Sequence, residues 1–245
     1  MDIRYNYNVS RNLKCIALIP ARIGSKRIPK KNLRLFRGVP LIAHTIETAR
    51  VAEVFDEIIV STDDNDIARI ALQWGATVPC LRPSELAQDN SPDIDWVLHA
   101  VDQMVSVPLE GKDVLAILRP TSPLRTSPTI VSALKTFLDN DWADSLRAME
   151  LTDKHPGKMW KIAANNEATP YLSQKNRVVP THDSPTQSLE AIWIQNASLE
   201  MTRMRSLLEN RTISGERILA FEMPGNEGLD LNTENDWRML EALLA

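Results

Sequence analysis

Short apolar runs alternate with longer amphipathic segments along most of this chain. Each run spans five residues and is rich in Ile, Val, Leu or Ala. Continuous apolar strands separated by helices are typical of parallel strands that are buried on both faces of a sheet. The predicted pairs of strand and helix are residues 15–19 with 41–51, 57–61 with 64–74, 77–81 with 93–105, and 114–118 with 128–138.

This rhythm predicts a three-layer α/β/α sandwich around a doubly wound, mostly parallel sheet. Crossovers between parallel strands are right-handed, and they place helices on both faces of the sheet. Local signals agree, because Pro40 suits the start of a helix, Asp64 can cap the next one and Gly75 can end it. Ligands of such sheets bind at the carboxyl ends of the strands.

The alternation of predicted strands and helices is interrupted once and then resumes. This pattern predicts a single domain over residues 1–245 with an inserted excursion at about 153–189. The excursion is rich in Pro and polar residues. After it, residues 191–199 and 217–221 read as strands. A closing helix begins at Thr233, where Thr233 and Asp236 resemble a capping box.

A strongly basic loop follows the first predicted strand. Residues 19–32, I-P-A-R-I-G-S-K-R-I-P-K-K-N, carry five cationic side chains, one Gly and two Pro. Gly24 and Ser25 permit close approach to backbone N–H groups, and the cations supply charge for a polyanion. We call this segment the basic loop. It predicts a nucleoside triphosphate site, although a solvated turn is the alternative interpretation, and the spacing is not that of the Walker loop.

The composition argues against two classes of partner, nucleic acids and membranes. The formal net charge is −4 over 245 residues, which argues against general nucleic-acid binding. Residues 1–14 are polar and no run approaches transmembrane length, so export and membrane insertion are both disfavoured. Cys15 and Cys80 both sit in apolar runs, where Cys behaves as a small hydrophobe. We therefore expect a cytoplasmic protein.

The basic loop and the polar segments that follow the other predicted strands resemble the acylneuraminate cytidylyltransferases, which activate sialic acid and related nine-carbon sugars. The likeness covers nearly the whole chain. The matching segments are the basic loop, Ser61-Thr62-Asp63-Asp64, Leu81-Arg82-Pro83-Ser84-Glu85-Leu86-Ala87, Arg119-Pro120-Thr121-Ser122-Pro123-Leu124-Arg125, Gln195-Asn196-Ala197 and Leu229-Asp230-Leu231-Asn232.

The resemblance implies a fold of the nucleotide-diphospho-sugar transferase type and a Mg²⁺-dependent reaction. CTP is the expected nucleotide, an acidic sugar such as sialic or legionaminic acid is the expected acceptor, and CMP-sugar and pyrophosphate are the products. The resemblance also implies a homodimer in which residues 153–189 form the dimerisation arm.

The resemblance assigns roles to residues of the basic loop and of the segment after residue 81. Arg22 and Lys31 are the expected catalytic cations, since transfer at the α-phosphate builds charge that fixed cations stabilise. Arg82 maps near the base, although it could instead cap a helix or pair with Glu85. The implied nucleotide-binding residues are Ala21, Arg22, Gly24, Ser25, Lys31, Asn32, Arg82 and Ser91.

The acceptor site and the metal site both depart from the family pattern. Arg119 stands where sialic-acid enzymes usually have Gln, and it could hold a carboxylate or a phosphate. Asp230 and Asn232 stand for the usual pair of aspartates; they are the candidate Mg²⁺ ligands, although Asn232 could equally cap the helix at Thr233. The implied acceptor-binding residues are Arg119, Thr121, Ser122, Arg125 and Asn196.

Two alternative functions remain open at this level. Arg119 could grip the extra phosphate of a sugar 1-phosphate, which would suit a GTP-using nucleotidyltransferase. Asn232, and Ala197 in place of the family's Gly, could instead mark a nucleotide-binding protein without catalysis. These departures bear more on the acceptor than on the chemistry.

Overall fold

The computed structural model describes residues 13–104, 109–172 and 179–243. Its strands are β1 Cys15–Pro20, β2 Leu35–Phe36, β3 Val39–Pro40, β4 Glu57–Ser61, β5 Val114–Leu118, β6 Ser145–Thr152, β7 Trp160–Ile162, β8 Ala168–Pro170, β9 Ile192–Arg203 and β10 Ile218–Glu222. Its helices are α1 Leu41–Val51, α2 Asn65–Gln73, α3 Asp93–Asp102, α4 Ser127–Leu138, α5 Met204–Leu208 and α6 Glu234–Leu243.

A six-stranded sheet in the order β10-β6-β9-β5-β1-β4 forms the centre of the fold. β1 pairs in parallel with β4 on one side and with β5 on the other, with Leu18 opposite both Ile59 and Ile117. β9 runs antiparallel to β5. The predicted fold class, a mostly parallel sheet within an α/β sandwich, is confirmed.

The alternation of side chains along β1 explains why the sheet is covered on both faces. Cys15, Ala17 and Ile19 belong to one apolar core together with residues of α1, α2 and α4. Ile16 and Leu18 belong to a second core together with residues of α3 and α5. Successive strand residues point to opposite faces, so a fully apolar strand needs helices on each side.

The cap at Asp64, the end at Gly75 and the capping box at Thr233 act as predicted, whereas Pro40 precedes α1 instead of forming its first residue. Asp64 Oδ1 accepts the Ile67 amide at 2.9 Å and so caps α2. Gly75 follows α2 with a φ of 86°. At α6, the Thr233 amide donates to Asp236 Oδ2 at 2.7 Å and the Asp236 amide donates to Thr233 Oγ1 at 3.3 Å, which makes the capping box reciprocal.

The strand predicted at residues 77–81 is wrong as a regular strand. This segment makes only isolated parallel bridges, Ile59 with Thr77 and Thr62 with Leu81, beside β4. Pro79 lies between the two bridges and has no N–H to donate, which prevents a continuous ladder. The last predicted residue of the third helix, Val105, lies outside the described residues, and α3 ends at Asp102.

The chain divides into two compact units, residues 1–148 with 196–245, and residues 149–195. The second unit holds the β7–β8 hairpin, in which Lys161 pairs with Thr169. Within it Gly157 lies against Thr181, whose Cγ2 occupies the space that a Cβ at that glycine would need. No helix in the described part of the chain is long and apolar enough to cross a membrane.

Candidate active site

A cleft of about 260 Å³ lies in the first unit, with lining residues drawn from the segments that follow β1, β4 and β5. Parallel strands place their carboxyl ends at one edge of a sheet, which is why segments far apart in sequence meet there. Of the predicted site residues, those that line the cleft are Arg22, Ser25, Lys31, Asn32, Arg82, Ser91, Arg119 and Thr121.

The basic loop is tied to the end of β4 by backbone hydrogen bonds. The Ala21 amide donates to the Ser61 carbonyl at 3.0 Å, and the Ile23 amide donates to Asp63 Oδ1 at 2.9 Å. Asn32 is buried and donates to the Arg22 carbonyl at 3.0 Å, which closes the loop on itself. Ala21 and Asn32 therefore hold the loop in shape.

Gly24 and Ser25 do not form the backbone N–H cradle that the sequence predicts for the basic loop. Gly24 is not among the lining residues, and a Cβ built there would meet no atom of the described part of the chain within 4 Å. The Ser25 amide donates to the Ile23 carbonyl at 2.8 Å, so this N–H is used within the loop. The cationic side chains rather than a glycine cradle are what this loop presents to the cleft.

Two of those cations meet a carboxylate at the rim of the cleft. Arg22 Nη1 lies 2.8 Å from Asp89 Oδ1 and donates to the Ala87 carbonyl at 3.1 Å. Lys26, which is largely exposed, pairs with the other oxygen of Asp89. Lys26 and Arg22 hold the pKa of Asp89 below its usual range. A polyanion that binds Arg22 and Lys26 competes with this carboxylate.

Lys31 joins the basic loop to the segment before α6. Its Nζ donates to the Leu231 carbonyl at 2.6 Å. Burial lowers the pKa of Lys31, an effect that Asp230 partly opposes. Leu231 in turn donates its amide to the Thr121 carbonyl at 2.8 Å. Lys31 therefore lies where the basic loop, the turn after β5 and the candidate metal segment meet.

The candidate metal ligands contact each other. Asn232 Nδ2 donates to Asp230 Oδ2 at 2.5 Å, and Arg27 Nη2 donates to Asn232 Oδ1 at 2.7 Å. Asp230 Oδ1 is buried and has no hydrogen-bond partner among the residues that the structure describes. The side chain of Asn232 does not cap α6, because Thr233 and Asp236 fill that role. A carboxylate oxygen that is buried and unpartnered fits a cation ligand.

Arg82 is buried beneath the cleft surface. Its Nε donates to Ser61 Oγ at 3.0 Å and its Nη2 donates to the Ser61 carbonyl at 2.8 Å. Its guanidinium carbon lies 4.8 Å from the centre of the Trp96 ring. Burial lowers the pKa of Arg82 to about 10. Among the described residues Arg82 thus contacts Ser61 and Trp96, and it does not pair with Glu85.

Ser91 stabilises the loop that carries Asp89. Its Oγ donates to the Glu85 carbonyl at 2.8 Å and accepts the Gln88 amide at 3.1 Å. Gln88, Asp89 and Ser91 all line the cleft. The hydroxyl of Ser91 fixes the rim and is already engaged on both its donor and its acceptor side.

Arg119 is held by two carboxylates. Its Nη2 lies 2.6 Å from Asp93 Oδ2 and 3.0 Å from Glu200 Oε1. Glu200 is buried and also pairs with Arg147. Burial alone would raise the pKa of Asp93, but Arg119 lowers it below the usual value. The cation at this family-variant position is therefore neutralised within the protein.

The remaining acceptor candidates support the turn rather than line the cleft. Arg125 is buried and donates to the carbonyls of Ser198 and Arg119, and burial lowers its pKa to about 10. Ser122 is buried and its Oγ has no hydrogen-bond partner among the described residues. Asn196 is nine-tenths buried, and its Oδ1 accepts the Ser198 amide at 3.2 Å.

The sequence did not point to two carboxylates that meet Arg119, Asp93 and Glu200. Asp93 accepts the indole N–H of Trp96 at 2.9 Å as well as binding Arg119, and Glu200 reaches Arg119 from β9. Asp93 stands at the start of a predicted helix, where an acidic residue normally needs no further explanation. Glu200 sits in an antiparallel strand whose place beside β5 the sequence pattern did not reveal.

Comparison with known proteins places this geometry in a family. A family model described as Cytidylyltransferase matches residues 16–92. CMP-N,N'-diacetyllegionaminic acid synthase of Legionella pneumophila is 33% identical over 234 residues, covering 95% of this chain and 97% of that protein. The chain belongs to the cytidylyltransferase family. It is a nucleotidyltransferase.

Other relatives and solved structures agree. Pseudaminic acid cytidylyltransferase of Campylobacter jejuni is 29% identical and covers 94% of this chain and 96% of its own length. N-acylneuraminate cytidylyltransferase of Escherichia coli is 40% identical over 92% of this chain and 51% of that protein. In structure, a CMP-2-keto-3-deoxy-manno-octonic acid synthetase complexed with CTP matches with a TM-score of 0.67 at 18% identity, covering 94% of this chain and 98% of that one.

Proposed function

We propose that this cytidylyltransferase transfers CMP from CTP to the anomeric hydroxyl of a nonulosonic acid. The observation that carries the proposal is the set of cations that the basic loop supplies to the cleft: Arg22, Lys26, Arg27 and Lys31. Relatives named for legionaminic, pseudaminic and neuraminic acids support the acceptor class.

In the proposed reaction the acceptor oxygen forms a bond to the α-phosphorus while the bond from that phosphorus to the bridging oxygen of the β-phosphate breaks. Pyrophosphate leaves, and the hydroxyl proton is released. Negative charge grows on the nonbridging and leaving oxygens. Arg22 and Lys31 are positioned as fixed cations that stabilise this charge without reorganising during the reaction. The proximity of Lys31 to Asp230 keeps this cation beside the candidate metal ligands.

Arg82 and its neighbours are the proposed base-binding surface. The guanidinium over Trp96 is held by Ser61, and Ser91 fixes the adjoining rim loop. A planar cation with several N–H donors can hydrogen-bond the oxygen and nitrogen acceptors of cytosine. Ser61 and Trp96 thus position Arg82, and Ser91 shapes the edge of the same surface.

The residues near the candidate metal segment fit Mg²⁺. Asp230 supplies a buried carboxylate oxygen that has no partner within the described chain, and Asn232 supplies an amide oxygen that Arg27 now occupies. Mg²⁺ accepts few protein ligands and completes its shell with phosphate oxygens and water. When bound, it neutralises phosphate charge.

The alternative of a sugar 1-phosphate acceptor loses its support in the structure. That alternative depended on Arg119 as a cation available for an extra phosphate. Asp93 and Glu200 already balance Arg119, so its guanidinium does not offer an unpaired charge to a dianion.

We also propose that the protein forms a homodimer through the second unit. Several large apolar side chains of residues 149–195 are exposed, and contiguous exposed apolar surface marks interaction sites. Sedimentation equilibrium should give twice the 27.6 kDa chain mass. Replacing two of the exposed apolar side chains by Ser should shift the measured mass toward that of the monomer. These side chains are Leu151, Met159, Trp160, Ile162, Tyr171, Leu172, Val179, Trp193 and Ile194.

A substrate panel tests the proposed reaction. Purified protein is incubated with Mg²⁺, each of the four nucleoside triphosphates, and either a nonulosonic acid or a sugar 1-phosphate. Pyrophosphate release and product mass are measured. We expect a CMP-sugar only with CTP and a nonulosonic acid. Turnover restricted to a sugar 1-phosphate, or nucleotide binding without turnover at any Mg²⁺ concentration, would contradict the proposal.

A further inference from the structure

Arg119 is oriented by acidic side chains from two different elements. Asp93 belongs to α3 and contacts Nη2 of the guanidinium at 2.6 Å. Glu200 belongs to β9, and its Oε1 accepts from Nη2 at 3.0 Å and from Nε at 3.4 Å. Contacts to both Nε and Nη2 fix one edge of the guanidinium, so its rotation is restrained from two sides.

Glu200 is itself held by a second arginine. Its other carboxylate oxygen pairs with Arg147, whose Nη2 donates to Ser214 Oγ at 2.7 Å. Both Glu200 and Arg147 are buried. With Arg119 and Asp93 this network contains two cations and two carboxylates, so its formal net charge is zero. These four side chains therefore add no net charge of their own to the cleft, and Arg82 is a further cation that acts on Asp93.

One nitrogen of Arg119 remains available. Its Nη1 has no hydrogen-bond partner among the residues that the structure describes, while Nε and Nη2 are both engaged. Arg119 lines the cleft beside Pro120 and Thr121. The free donor is therefore on a guanidinium group that lines the cleft together with Thr121, and the family resemblance assigns both residues to the acceptor.

We propose that Glu200 and Asp93 are positioning residues that set the acceptor class by holding Arg119 with Nη1 directed to a single carboxylate. The inference rests on the proposed function and names how the acceptor is selected. A monoanionic carboxylate can accept the Nη1 hydrogen bond at a small cost in repulsion. A phosphomonoester dianion carries twice the charge into a neutral network that contains two fixed carboxylates, so it is disfavoured.

A double-mutant cycle tests this coupling. The variants are Glu200→Gln, Arg119→Gln and the double variant, and the readouts are the KM of the nonulosonic acid, the KM of CTP and kcat. We expect Glu200→Gln to raise the acceptor KM about tenfold. A hydrogen bond to a charged group contributes a free energy that corresponds to about a tenfold change in affinity or more. The KM of CTP should change less than about twofold. In the Arg119→Gln background, Glu200→Gln should have almost no further effect on the acceptor KM.

The cycle separates positioning from a merely structural role. If Glu200 acts only by supporting Arg147, its substitution raises the acceptor KM equally in both backgrounds, and the inference is overturned. Glu47→Gln is the matched control, because Glu47 pairs with Arg50 on the exposed face of α1. Asp93→Asn covers the case in which Glu200→Gln fails to fold, since the Asp93 side chain is 48% exposed. It should also raise the acceptor KM, and only with Arg119 present.

The inference and the proposed function fail in different ways. Absence of CTP-dependent turnover with every nonulosonic acid contradicts the function itself. Normal turnover with an unchanged acceptor KM in both Glu200→Gln and Asp93→Asn overturns the inference alone. A sugar 1-phosphate accepted as readily as a nonulosonic acid by the parent protein would overturn the charge argument directly.

Discussion

The basic loop after β1 and the turn after β5, residues 119–125, carry the same kinds of side chain but use them differently. In the basic loop Lys26 is 81% exposed, and Arg22 and Lys26 share one carboxylate at the rim. In the turn, Arg119 faces two carboxylates and Arg125 is buried against backbone carbonyls. The basic loop presents cationic charge to the cleft, whereas the arginines of the turn are engaged by acceptors within the protein.

The difference teaches that an arginine after a strand is not by itself a ligand site. What decides its role is the set of acceptors that the fold brings to it. β9 runs beside β5 and delivers Glu200 and the Ser198 carbonyl to the turn. The basic loop is met from the side of β4 mainly by backbone contacts and by Asp63, which binds an amide rather than a cation.

The largest effect should come from removing two cations of the basic loop together. Arg22→Met with Lys31→Met is expected to lower kcat/KM for CTP by about 10³-fold or more, because fixed cations supply much of the transition-state stabilisation in phosphoryl transfer. Pyrophosphate release and CTP titration calorimetry measure the effect. The control pairs Arg69→Met with Lys112→Met, both of which form ion pairs outside the residues that line the cleft. Unchanged CTP affinity in the double variant would remove the basis of the proposed site.

A substitution in the turn should lower the stability of the folded protein rather than its affinity for substrates. Arg125→Leu removes the buried side-chain donor of the Ser198 carbonyl and one of two donors of the Arg119 carbonyl, which also accepts the Ser122 amide. This loss costs about 2–4 kcal/mol and lowers Tm by roughly 5–10 °C. Differential scanning calorimetry measures this. The expected KM values of the folded variant, taken below its Tm, remain close to those of the parent. A normal Tm combined with a raised acceptor KM would instead identify Arg125 as an acceptor ligand.

The fold was predictable wherever apolar strands and capped helices coincide. β1, β4, β5, α1 and α4 lie within a residue or two of the predicted bounds because their patterns are local. β6 was not predicted, since Ser145 and Arg147 interrupt its apolar pattern. Both are buried nonetheless, because Ser214 and Glu200 satisfy them. Polar residues that are neutralised by distant partners cannot be recognised as core from local sequence.

The cations of the candidate site were predictable from the sequence, whereas the carboxylates that pair with them, Asp89, Asp93 and Glu200, were not. The basic loop concentrates charge within one segment, so the sequence alone located residues that line the cleft. Asp93 and Glu200 are separated from Arg119 by 26 and 81 residues and meet it only through the sheet order. The pairing of Asp89 with Arg22 likewise depends on how the segment after β4 folds back.

Asn232→Asp tests the contrast between the basic loop and the turn, because it adds a carboxylate beside the basic loop. We expect the Mn²⁺ or Mg²⁺ affinity to rise by about threefold to tenfold, because cation affinity follows the charge of the ligand set. The gain is limited because Arg27, which now binds Asn232 Oδ1, would pair with the new carboxylate. Electron paramagnetic resonance of Mn²⁺ measures binding without turnover. Asn140→Asp is the comparison variant, since it adds the same charge outside the residues that line the cleft. Equal metal affinity in parent and Asn232→Asp would show that this segment is not the metal site.

The smallest effect is expected at the rim of the cleft. Asp89 pairs with Lys26 and Arg22, and those cations hold the pKa of its carboxyl below its usual value, so it stays ionised throughout the neutral range. A triphosphate must compete with this carboxylate for the same two cations. Because exposed ion pairs contribute little, Asp89→Asn should raise CTP affinity only about twofold to fivefold. Fluorescence titration with CTP at several salt concentrations measures the gain, which should shrink as salt screens the pair. A loss of affinity would mean that Asp89 orders the rim loop for the nucleotide, and the basic loop would then depend on an internal carboxylate as the turn does.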